Sequence, residues 1–179
     1  MLKSIKIDYN LTRQLNKQKK ELEKKKFFEN LSEPYKPPAD LPGCVIIDID
    51  GTLAVRVSRG PYEFDMIAED DICAQTRFLS NLIKRDKQLI VLVVTGREEK
   101  YRVITEKWLK DNEVSYDFLF MRKTEDRRPD YIVKKEIFDT KIRNKYAVFF
   151  ACDDRKQVKR MWVSLGIFVF DVNQRDEVF

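Results

Sequence analysis

Two pairs of aspartates stand directly after apolar runs of the sequence. Asp48 and Asp50 follow the run CVII, and Asp153 and Asp154 follow the run AVFFAC much later in the chain. Carboxylates gathered at one place repel one another, and a cation between them removes that repulsion. Because Mg²⁺ takes carboxylate and carbonyl oxygens and accepts a phosphate as a further ligand, these pairs predict a magnesium site that binds a phosphate.

Further polar side chains stand near the ends of other apolar runs. Thr95 and Arg97 follow the run QLIVLVV, Lys134 lies in a helical pattern, and Thr52 offers a hydroxyl next to the first aspartate pair. Taken alone, each has an ordinary explanation, because threonines cap helices and lysines occupy solvated helix faces. Their order along the chain and their shared placement favour a single site at one edge of a sheet.

The composition excludes several other kinds of site. The 179 residues include no histidine, which excludes histidine-based triads and histidine phosphatases. A calcium-binding EF-hand loop that began at Asp48 would need a glutamate at its twelfth position, where the chain has Arg59. Cys44, Cys73 and Cys152 lack the paired spacing of a zinc site, so we expect reduced, buried thiols.

Short apolar runs alternate with helical patterns beyond residue 40. The runs predict strands, each buried on both faces, at 44–49, 88–94, 116–121, 146–151 and 167–172. Helices are predicted at 70–84, 98–112, 131–142 and 155–165, with Asp70 or Asp71 as the N-cap of the first. Such alternation is typical of an α/β fold in three layers, α/β/α, around a parallel sheet. Ligands of these sheets bind beyond the carboxyl ends of the strands.

Residues 1–40 predict a basic helical arm with a proline-rich linker, and residues 41–179 predict one catalytic domain. The first 40 residues hold ten Lys/Arg against six Asp/Glu, so most of the net charge of +5 belongs to them. A helix is expected at 11–31, either as a solvated arm or as a contact for nucleic acid or another subunit. No apolar run is long enough to cross a bilayer, so we expect an intracellular protein without membrane contact.

The sequence resembles the haloacid dehalogenase superfamily in the four motifs VIIDIDGTLA, VVTGR, Lys134 and CDDR. The resemblance implies a Rossmann-like α/β/α fold with a small cap and a phosphatase mechanism through an aspartyl-phosphate. It implies that Asp48 is the nucleophile and that Asp50 is the general acid and base. Lys134 would stabilise the pentavalent phosphorus, and Thr95 would hold the phosphate. The implied ligands of Mg²⁺ are Asp48, the carbonyl of Asp50, Asp153 and Asp154.

A closer resemblance covers about residues 41–170 and concerns the 3′-phosphatase half of bacteriophage polynucleotide 5′-kinase/3′-phosphatase. It rests on DIDGTLAVRVSRGPYEFD, TGRE, KWL, RPDYIVKKEIF and DDRKQVKRMW, in this order. It implies that, beside Thr52, substrate is bound by Arg59, Arg97 and Asp130. The two arginines suit forked donation to phosphate oxygens, and Asp130 precedes Lys134 by one helical turn, which suits a hydrogen bond to its ammonium. The implied setting is the cytoplasm of a bacterium or of a phage-infected host.

Only short insertions are available to cap the site, which predicts an opening that admits the end of a polymer. Arg122, Arg127 and Arg128 are candidates to line its approach. The leading hypothesis is Mg²⁺-dependent hydrolysis of terminal 3′-phosphates on DNA or RNA, including 2′,3′-cyclic ends, in end healing. A phosphatase of free nucleotides or other small phosphoesters, and a non-catalytic nucleic-acid module, stay open as alternatives. No GxxxxGK[ST] loop occurs in the sequence, so 5′-phosphorylation is not expected and a separate kinase or ligase is a candidate partner.

Overall fold

A computed structural model of the protein describes residues 9–31, 34–37, 39–58, 60, 63–86 and 88–172. The chain divides into two compact units, Met1–Glu33 and Pro34–Phe179. The described part of the first unit is mainly one helix, α1 (Tyr9–Glu29), whose lysines, glutamates and glutamines are good helix formers. Among the described residues, no helix is both long and apolar enough to cross a membrane.

The second unit alternates strands and helices in the predicted order. Its strands are β1 (Gly43–Ile47), β2 (Ala54–Val55), β3 (Asp71–Ile72), β4 (Ile90–Glu98), β5 (Phe118–Arg122), β6 (Ala147–Asp153) and β7 (Phe168–Asp171). Its helices are α2 (Ala74–Asp86), α3 (Arg102–Asp111), α4 (Asp130–Ile137) and α5 (Lys156–Ser164), with short 3-10 segments at Phe64–Glu69 and Glu99–Tyr101 and a π-type turn at Phe138–Ile142. The sequence predicted all of the long strands and helices, but not the short antiparallel pair of β2 and β3.

The long strands form one parallel sheet in the order β5-β4-β1-β6-β7, which confirms the predicted α/β fold. The chain runs from β1 to β4 and β5, and then returns to the other side of β1 for β6 and β7. The strand order therefore reverses between β1 and β6, and ligands of open α/β sheets bind at such a switch point. Ile47 pairs with Cys152 across these two strands, so the next residues, Asp48 and Asp153, are neighbours.

Helices cover both faces of the central strands. Successive side chains of a strand point to opposite faces, so Val45 and Ile47 of β1 lie on one face and Ile46 on the other. All three are buried. The first face packs against α2 and α3, including Leu109, while α4 and α5 pack against each other and against β4 and β6. This two-sided burial holds the carboxyl ends of β1, β4 and β6 in a rigid frame.

Two kinds of local prediction were wrong. Every long strand was expected to be buried on both faces, but β5 and β7 are the sheet edges, and exposed phenylalanines occur on β5, β6 and β7: Phe118 (47%), Phe149 (60%), Phe168 (63%) and Phe170 (45%). An edge strand has one neighbour, and an apolar run does not reveal how many neighbours its strand will have. Asp70 does not cap α2, which begins only at Ala74; its carboxylate binds Arg97 instead.

Tyr35 ties the segment before β1 to the rest of the second unit. Its hydroxyl donates to the backbone carbonyl of Tyr146 (2.5 Å) and accepts from the N–H of Val148 (3.1 Å). Its ring packs edge-on against Phe138, with the ring centroids 5.2 Å apart. The chain just before β1 is therefore packed locally, while the predicted domain boundary after residue 40 stays a prediction.

The cysteines are free, buried thiols, as the sequence predicted. Burial raises the pKa of both Cys44 and Cys152 to about 12. Because the thiolate is the reactive form, this raised pKa argues against a nucleophilic role for either residue at neutral pH. The carboxylates are the better candidates for chemistry, and Cys152 directly precedes one of them.

Candidate active site

Asp48 is the first residue after β1 and stands at the switch point of the sheet. Its backbone N–H donates to the carbonyl of Cys152 (3.1 Å), which holds it against β6. Only 5% of its side chain is exposed. The buried strand before it therefore fixes a carboxylate at the carboxyl edge of the sheet, where ligands of open α/β sheets bind.

Lys134 extends from α4 between two of the predicted aspartates. Its Nζ lies 2.8 Å from Oδ1 of Asp48 and 2.8 Å from Oδ2 of Asp153. Burial lowers the pKa of Lys134, but the carboxylates of Asp153, Asp48 and Asp130 outweigh it and raise that pKa above its ordinary value. The ammonium therefore stays charged and joins the ends of β1 and β6.

Asp154 completes a cluster of three buried carboxylates. Asp48, Asp153 and Asp154 each place one oxygen within 4.8 Å of the others. Burial, together with the charge of Asp153, raises the pKa of Asp154 to about 6. Burial also raises the pKa of Asp48 well above its ordinary range, against the opposing effect of Lys134. The cluster thus holds more negative charge than the single lysine stabilises.

A divalent cation fits this cluster. Oδ1 of Asp154 is buried and has no hydrogen-bond partner among the described residues, and an unsatisfied buried carboxylate oxygen is costly. Oxygen ligands of this kind suit a hard cation such as Mg²⁺. The side chains of Asp48, Asp153 and Asp154 therefore match the metal that the sequence predicted, while a contribution from the carbonyl of Asp50 stays a prediction.

The turn after Asp48 is compact and depends on a glycine. The N–H groups of residues 52–54 all donate to the carbonyl of Ile49, at 2.7 to 3.1 Å. Gly51 has a φ of +87°, which residues with a Cβ rarely adopt. A Cβ at this position would lie 2.0 Å from Oδ2 of Asp154. Gly51 therefore lets the Asp154 carboxylate approach the turn.

We expect Gly51→Ala to weaken Mg²⁺ binding by roughly 10- to 100-fold, because Asp154 must move away from the new methyl group. The left-handed backbone adds a stability cost of about 1–3 kcal/mol. Titration calorimetry with Mg²⁺ and thermal unfolding measure the two effects. Gly60→Ala is the matched control, since among the described residues the nearest atom to a Cβ there is Oε2 of Glu63 at 3.4 Å. Unchanged Mg²⁺ affinity in Gly51→Ala would contradict this role of Asp154.

Asp50 is held by a buried arginine. Nε and Nη2 of Arg97, which lies near the end of β4, donate to the two carboxylate oxygens of Asp50, each at 2.9 Å. Nη2 also donates to Oδ2 of Asp70 (3.0 Å), and the indole N–H of Trp108 donates to the Asp70 carbonyl (2.9 Å). The side chain of Asp50 keeps 16% of its surface exposed. Asp50 is thus fixed in orientation but still accessible.

The surroundings of Arg97 differ from the sequence-based expectation. Its fork was predicted to bind phosphate, but the side chain is fully buried and binds Asp50 and Asp70. Its Nη1 is buried without a hydrogen-bond partner among the described residues. Direct phosphate binding by Arg97 stays a prediction, and the structure adds a positioning role. Asp70 and Trp108 were missed as parts of the site, because in the sequence they look like a helix cap and a core residue.

Two threonines lie at the same strand ends. Thr95 is fully buried, and its Oγ1 accepts a hydrogen bond from the N–H of Arg97 (3.2 Å). Thr52 is 1% exposed, and its Oγ1 has no hydrogen-bond partner among the described residues. A buried hydroxyl without a partner is rare in native structures. This favours a ligand oxygen near Thr52, while phosphate contacts by either threonine stay predictions.

Asp130, the first residue of α4, binds two arginines. Nη2 of Arg122 and Nη1 of Arg155 both donate to its carboxylate. Among the described residues no hydrogen bond joins Asp130 to Lys134, so the predicted contact was wrong. The lysine extends into the aspartate cluster, whereas Asp130 lies so close to Gly96 that a Cβ there would be 2.7 Å from its Oδ1. Its predicted contact with substrate stays a prediction.

Arg122 braces the loop at 123–129. Only 8% of Arg122 is exposed, and it donates to the backbone carbonyls of Gly96 (2.7 Å), Asp126 (2.8 Å) and Arg128 (2.6 Å). It was expected to line the approach to the site, but its donors are used to hold this loop. The other two arginines of the loop are exposed.

Most of the predicted site residues meet at the carboxyl ends of β1, β4 and β6. Arg59 is different, because it lies outside the described residues and its role stays a prediction. The described residues that gather at these strand ends, directly or through one contact, are Asp48, Asp50, Thr52, Thr95, Arg97, Asp130, Lys134, Asp153 and Asp154. Arg155 joins them through Asp130, and its place directly after the second aspartate pair was the only signal for it in the sequence.

Comparison with known proteins gives a consistent result. Residues 42–176 match the family described as the polynucleotide kinase PNKP phosphatase domain. A putative bifunctional polynucleotide kinase/RNA ligase from Autographa californica nuclear polyhedrosis virus is 36% identical over 157 residues, which cover 83% of this chain and 22% of the viral protein.

Two solved structures of a Pnkp1/Rnl/Hen1 complex, one described as an RNA repair complex, contain a chain 37% identical to this one, with a TM-score of 0.76. The match covers 83% of this chain and 48% or 52% of those chains. This chain therefore spans about half of those chains and less than a quarter of the viral protein.

Proposed function

We propose that this chain, which belongs to the family of the polynucleotide kinase PNKP phosphatase domain, hydrolyses terminal 3′-phosphates of DNA or RNA, including 2′,3′-cyclic ends. One observation carries the proposal: two aspartates separated by one residue have opposite surroundings. Asp48 is buried against a lysine and two further carboxylates, whereas Asp50 is partly exposed and held by an arginine fork. Two carboxyl groups whose surroundings differ in this way are suited to different roles in one reaction, and a cation at the cluster of Asp48, Asp153 and Asp154 would keep Asp48 ionised as the nucleophile.

In the first step, a carboxylate oxygen of Asp48 attacks phosphorus and forms an acyl-phosphate bond. The bond between phosphorus and the 3′-oxygen breaks, and protonated Asp50 gives its proton to that oxygen. Lys134 keeps Asp48 oriented and supplies positive charge beside the reacting group. Asp50 keeps 16% of its side chain exposed, which leaves it accessible to the leaving oxygen.

In the second step, the ionised Asp50 takes a proton from water, and the resulting hydroxide attacks phosphorus. The bond between phosphorus and Asp48 breaks, so inorganic phosphate leaves and both aspartates return to their starting states. Asp48, Asp153 and Asp154 would hold Mg²⁺, which when bound supplies positive charge against the phosphate oxygens. Thr52 and Thr95 offer hydroxyl donors to the same oxygens.

We expect Arg97→Lys to lower kcat by about 100-fold with a small change in KM, because a lysine cannot hold Asp50 with two parallel hydrogen bonds. Steady-state kinetics with a 3′-phosphorylated oligonucleotide measure this split. Arg102→Lys is the control: Arg102 is a half-buried arginine on α3 that pairs with Glu99 and Glu106 and with none of the aspartates of the site among the described residues. A variant with normal kcat would argue against positioning of Asp50 by Arg97.

Two observations support a polymer end as the substrate. Between β1 and α2 the described chain holds only β2, one 3-10 segment and β3, so no separate cap domain is inserted there. The relatives are a putative bifunctional polynucleotide kinase/RNA ligase and a chain of a Pnkp1/Rnl/Hen1 RNA repair complex. We therefore propose that kinase and ligase activities act on the same nucleic-acid ends as this phosphatase.

The test is a panel of substrates assayed with and without Mg²⁺. It contains one oligonucleotide sequence, as DNA and as RNA, with 3′-phosphate, 5′-phosphate or 2′,3′-cyclic phosphate ends, together with a nucleoside 3′-monophosphate. We expect phosphate release from the 3′-phosphorylated oligonucleotides only with Mg²⁺, and none from 5′-phosphates. Equal or higher kcat/KM for the mononucleotide would favour a phosphatase of small phosphoesters, and no release from any substrate would contradict the proposal.

A further inference from the structure

Four basic residues of α1 lie on one face of the helix. Arg13, Lys17, Lys20 and Lys24 follow the spacing i, i+4, i+7, i+11, which keeps their side chains in line along an α-helix. We call these four residues the basic stripe. Arg13, Lys17 and Lys20 are exposed and Lys24 is partly exposed. The stripe lies outside residues 42–176, the part of the chain that matches the phosphatase-domain family.

Within the part of the chain that the structure describes, the cations of the basic stripe form no ion pair. Among the described residues of α1 the salt bridge is between Lys25 and Glu29, on other faces of the helix (3.7 Å), and none of the four stripe residues has a carboxylate partner. Glu21 and Glu23 stand three or four residues from stripe lysines, a spacing at which opposite charges can pair, but neither is paired with the stripe among the described residues. The four cations are therefore available to an anionic ligand.

The opposite face of α1 argues against a lipid surface and against a coiled coil. It carries the positions of Leu11, Leu15 and Leu22, with Gln18 between the last two, and Leu15 and Leu22 are 56% and 53% exposed. A helix that lies on a membrane needs a broad apolar face, and a coiled coil needs an apolar residue every three or four positions. Three leucines interrupted by a glutamine supply neither. The charge of the helix, in contrast, is complementary to a phosphate backbone.

We propose that the basic stripe binds the phosphodiester backbone of a nucleic-acid strand. From Arg13 to Lys24 it extends about 16 Å along the helix axis, which corresponds to about five nucleotides at the roughly 3.4 Å rise of one stacked strand. Lysine and arginine side chains that contact phosphates add affinity without reading sequence. The stripe would thus raise the affinity of the chain for polynucleotides, whereas the active site acts on their ends. The link to the active site rests on the proposed function, but the binding of nucleic acid by the stripe does not.

The test compares two triple variants with the same charge. One replaces Lys17, Lys20 and Lys24 with Gln, and the control replaces Lys19, Lys25 and Lys26, which lie off the basic stripe, with Gln. Binding of a single-stranded oligonucleotide that ends in a 3′-hydroxyl is measured by fluorescence anisotropy from 0.05 to 0.5 M salt. This ligand carries no terminal phosphate, so the result does not depend on whether the chain is a phosphatase. Circular dichroism checks that both variants keep their helix content.

We expect the stripe variant to bind roughly 10- to 100-fold more weakly at low salt, with a log–log salt slope smaller by about 2, since each lost phosphate contact removes about 0.7. The control variant should stay close to the parent protein. Turnover of a nucleoside 3′-monophosphate should be the same in all three proteins. Equal losses in both variants would mean that only net charge matters and would overturn the proposal. Unchanged oligonucleotide binding in the stripe variant would also overturn the proposal. Binding of the same variant to phosphatidylserine vesicles is measured in parallel, and a loss there alone would mean that the stripe binds a membrane surface instead of nucleic acid.

Discussion

Asp48→Asn is expected to abolish turnover, by on the order of 10⁴-fold or more, because a carboxamide cannot attack phosphorus and release it again. The fold should be retained. Asparagine has the same shape, and its carbonyl oxygen can still accept a hydrogen bond from Lys134, which lies 2.8 Å from Oδ1 in the parent protein. Stability should be unchanged or slightly higher, since the substitution removes one of three mutually repelling carboxylates.

Turnover of a 3′-phosphorylated oligonucleotide and thermal unfolding test this expectation together. Asp71→Asn, at an exposed aspartate of β3, is the control for the chemical change alone and should keep full activity. Peptide mapping must exclude deamidation of the new asparagine back to aspartate. Parent-like rates from a preparation free of deamidation would remove Asp48 from its role as nucleophile.

Lys134→Met should impair both stability and turnover. The ammonium is buried between Asp48 and Asp153, and loss of one partner of a buried ion pair typically costs about 3–5 kcal/mol. Turnover should fall by about 10²- to 10³-fold or more even at a temperature where the variant is fully folded, because charge beside the reacting phosphate is lost. Chemical denaturation and kinetics on the same preparation measure the two losses.

Lys135→Met is the matched control, one residue further along α4. Lys135 pairs with Asp139 near the surface, so its replacement should change stability by less than about 1 kcal/mol and leave turnover intact. If Lys134→Met were inactive but as stable as the control, Lys134 would contribute to the reaction and not to the stability of the fold. If it were unstable but fully active once folded, its proposed role beside the phosphate would be wrong.

The sequence predicted the long strands and helices of the second unit, with errors of up to about five residues at their ends, but not the short pair of β2 and β3. Buried strands such as β1 are continuous apolar runs, and polar residues that follow them directly can only lie at a sheet edge. The sequence alone therefore identified the two aspartate pairs, Asp48 with Asp50 and Asp153 with Asp154. Their meeting at one place also followed from the alternation of strand and helix, since parallel strands end on the same side.

Side-chain partners were less predictable. Arg97 was expected to face a phosphate, but it binds Asp50 and Asp70, and Asp130 was expected to bind Lys134, but it binds Arg122 and Arg155 instead. A long charged side chain can reach several oppositely charged groups from one backbone position. Which of them it meets depends on segments that are distant in sequence.

The amino-acid sequence by itself determined which residues can do chemistry and at which edge of the sheet they stand, because local apolar patterns decide where strands begin and end. Only the tertiary structure decided which charged groups contact one another. Strand order brought Asp48 beside Asp153 and let Lys134 enter between them. Packing also placed Asp154 against Gly51, with its Oδ1 buried and without a hydrogen-bond partner among the described residues. These contacts join segments far apart in the chain, so they depend on packing geometry that no local pattern of residues contains.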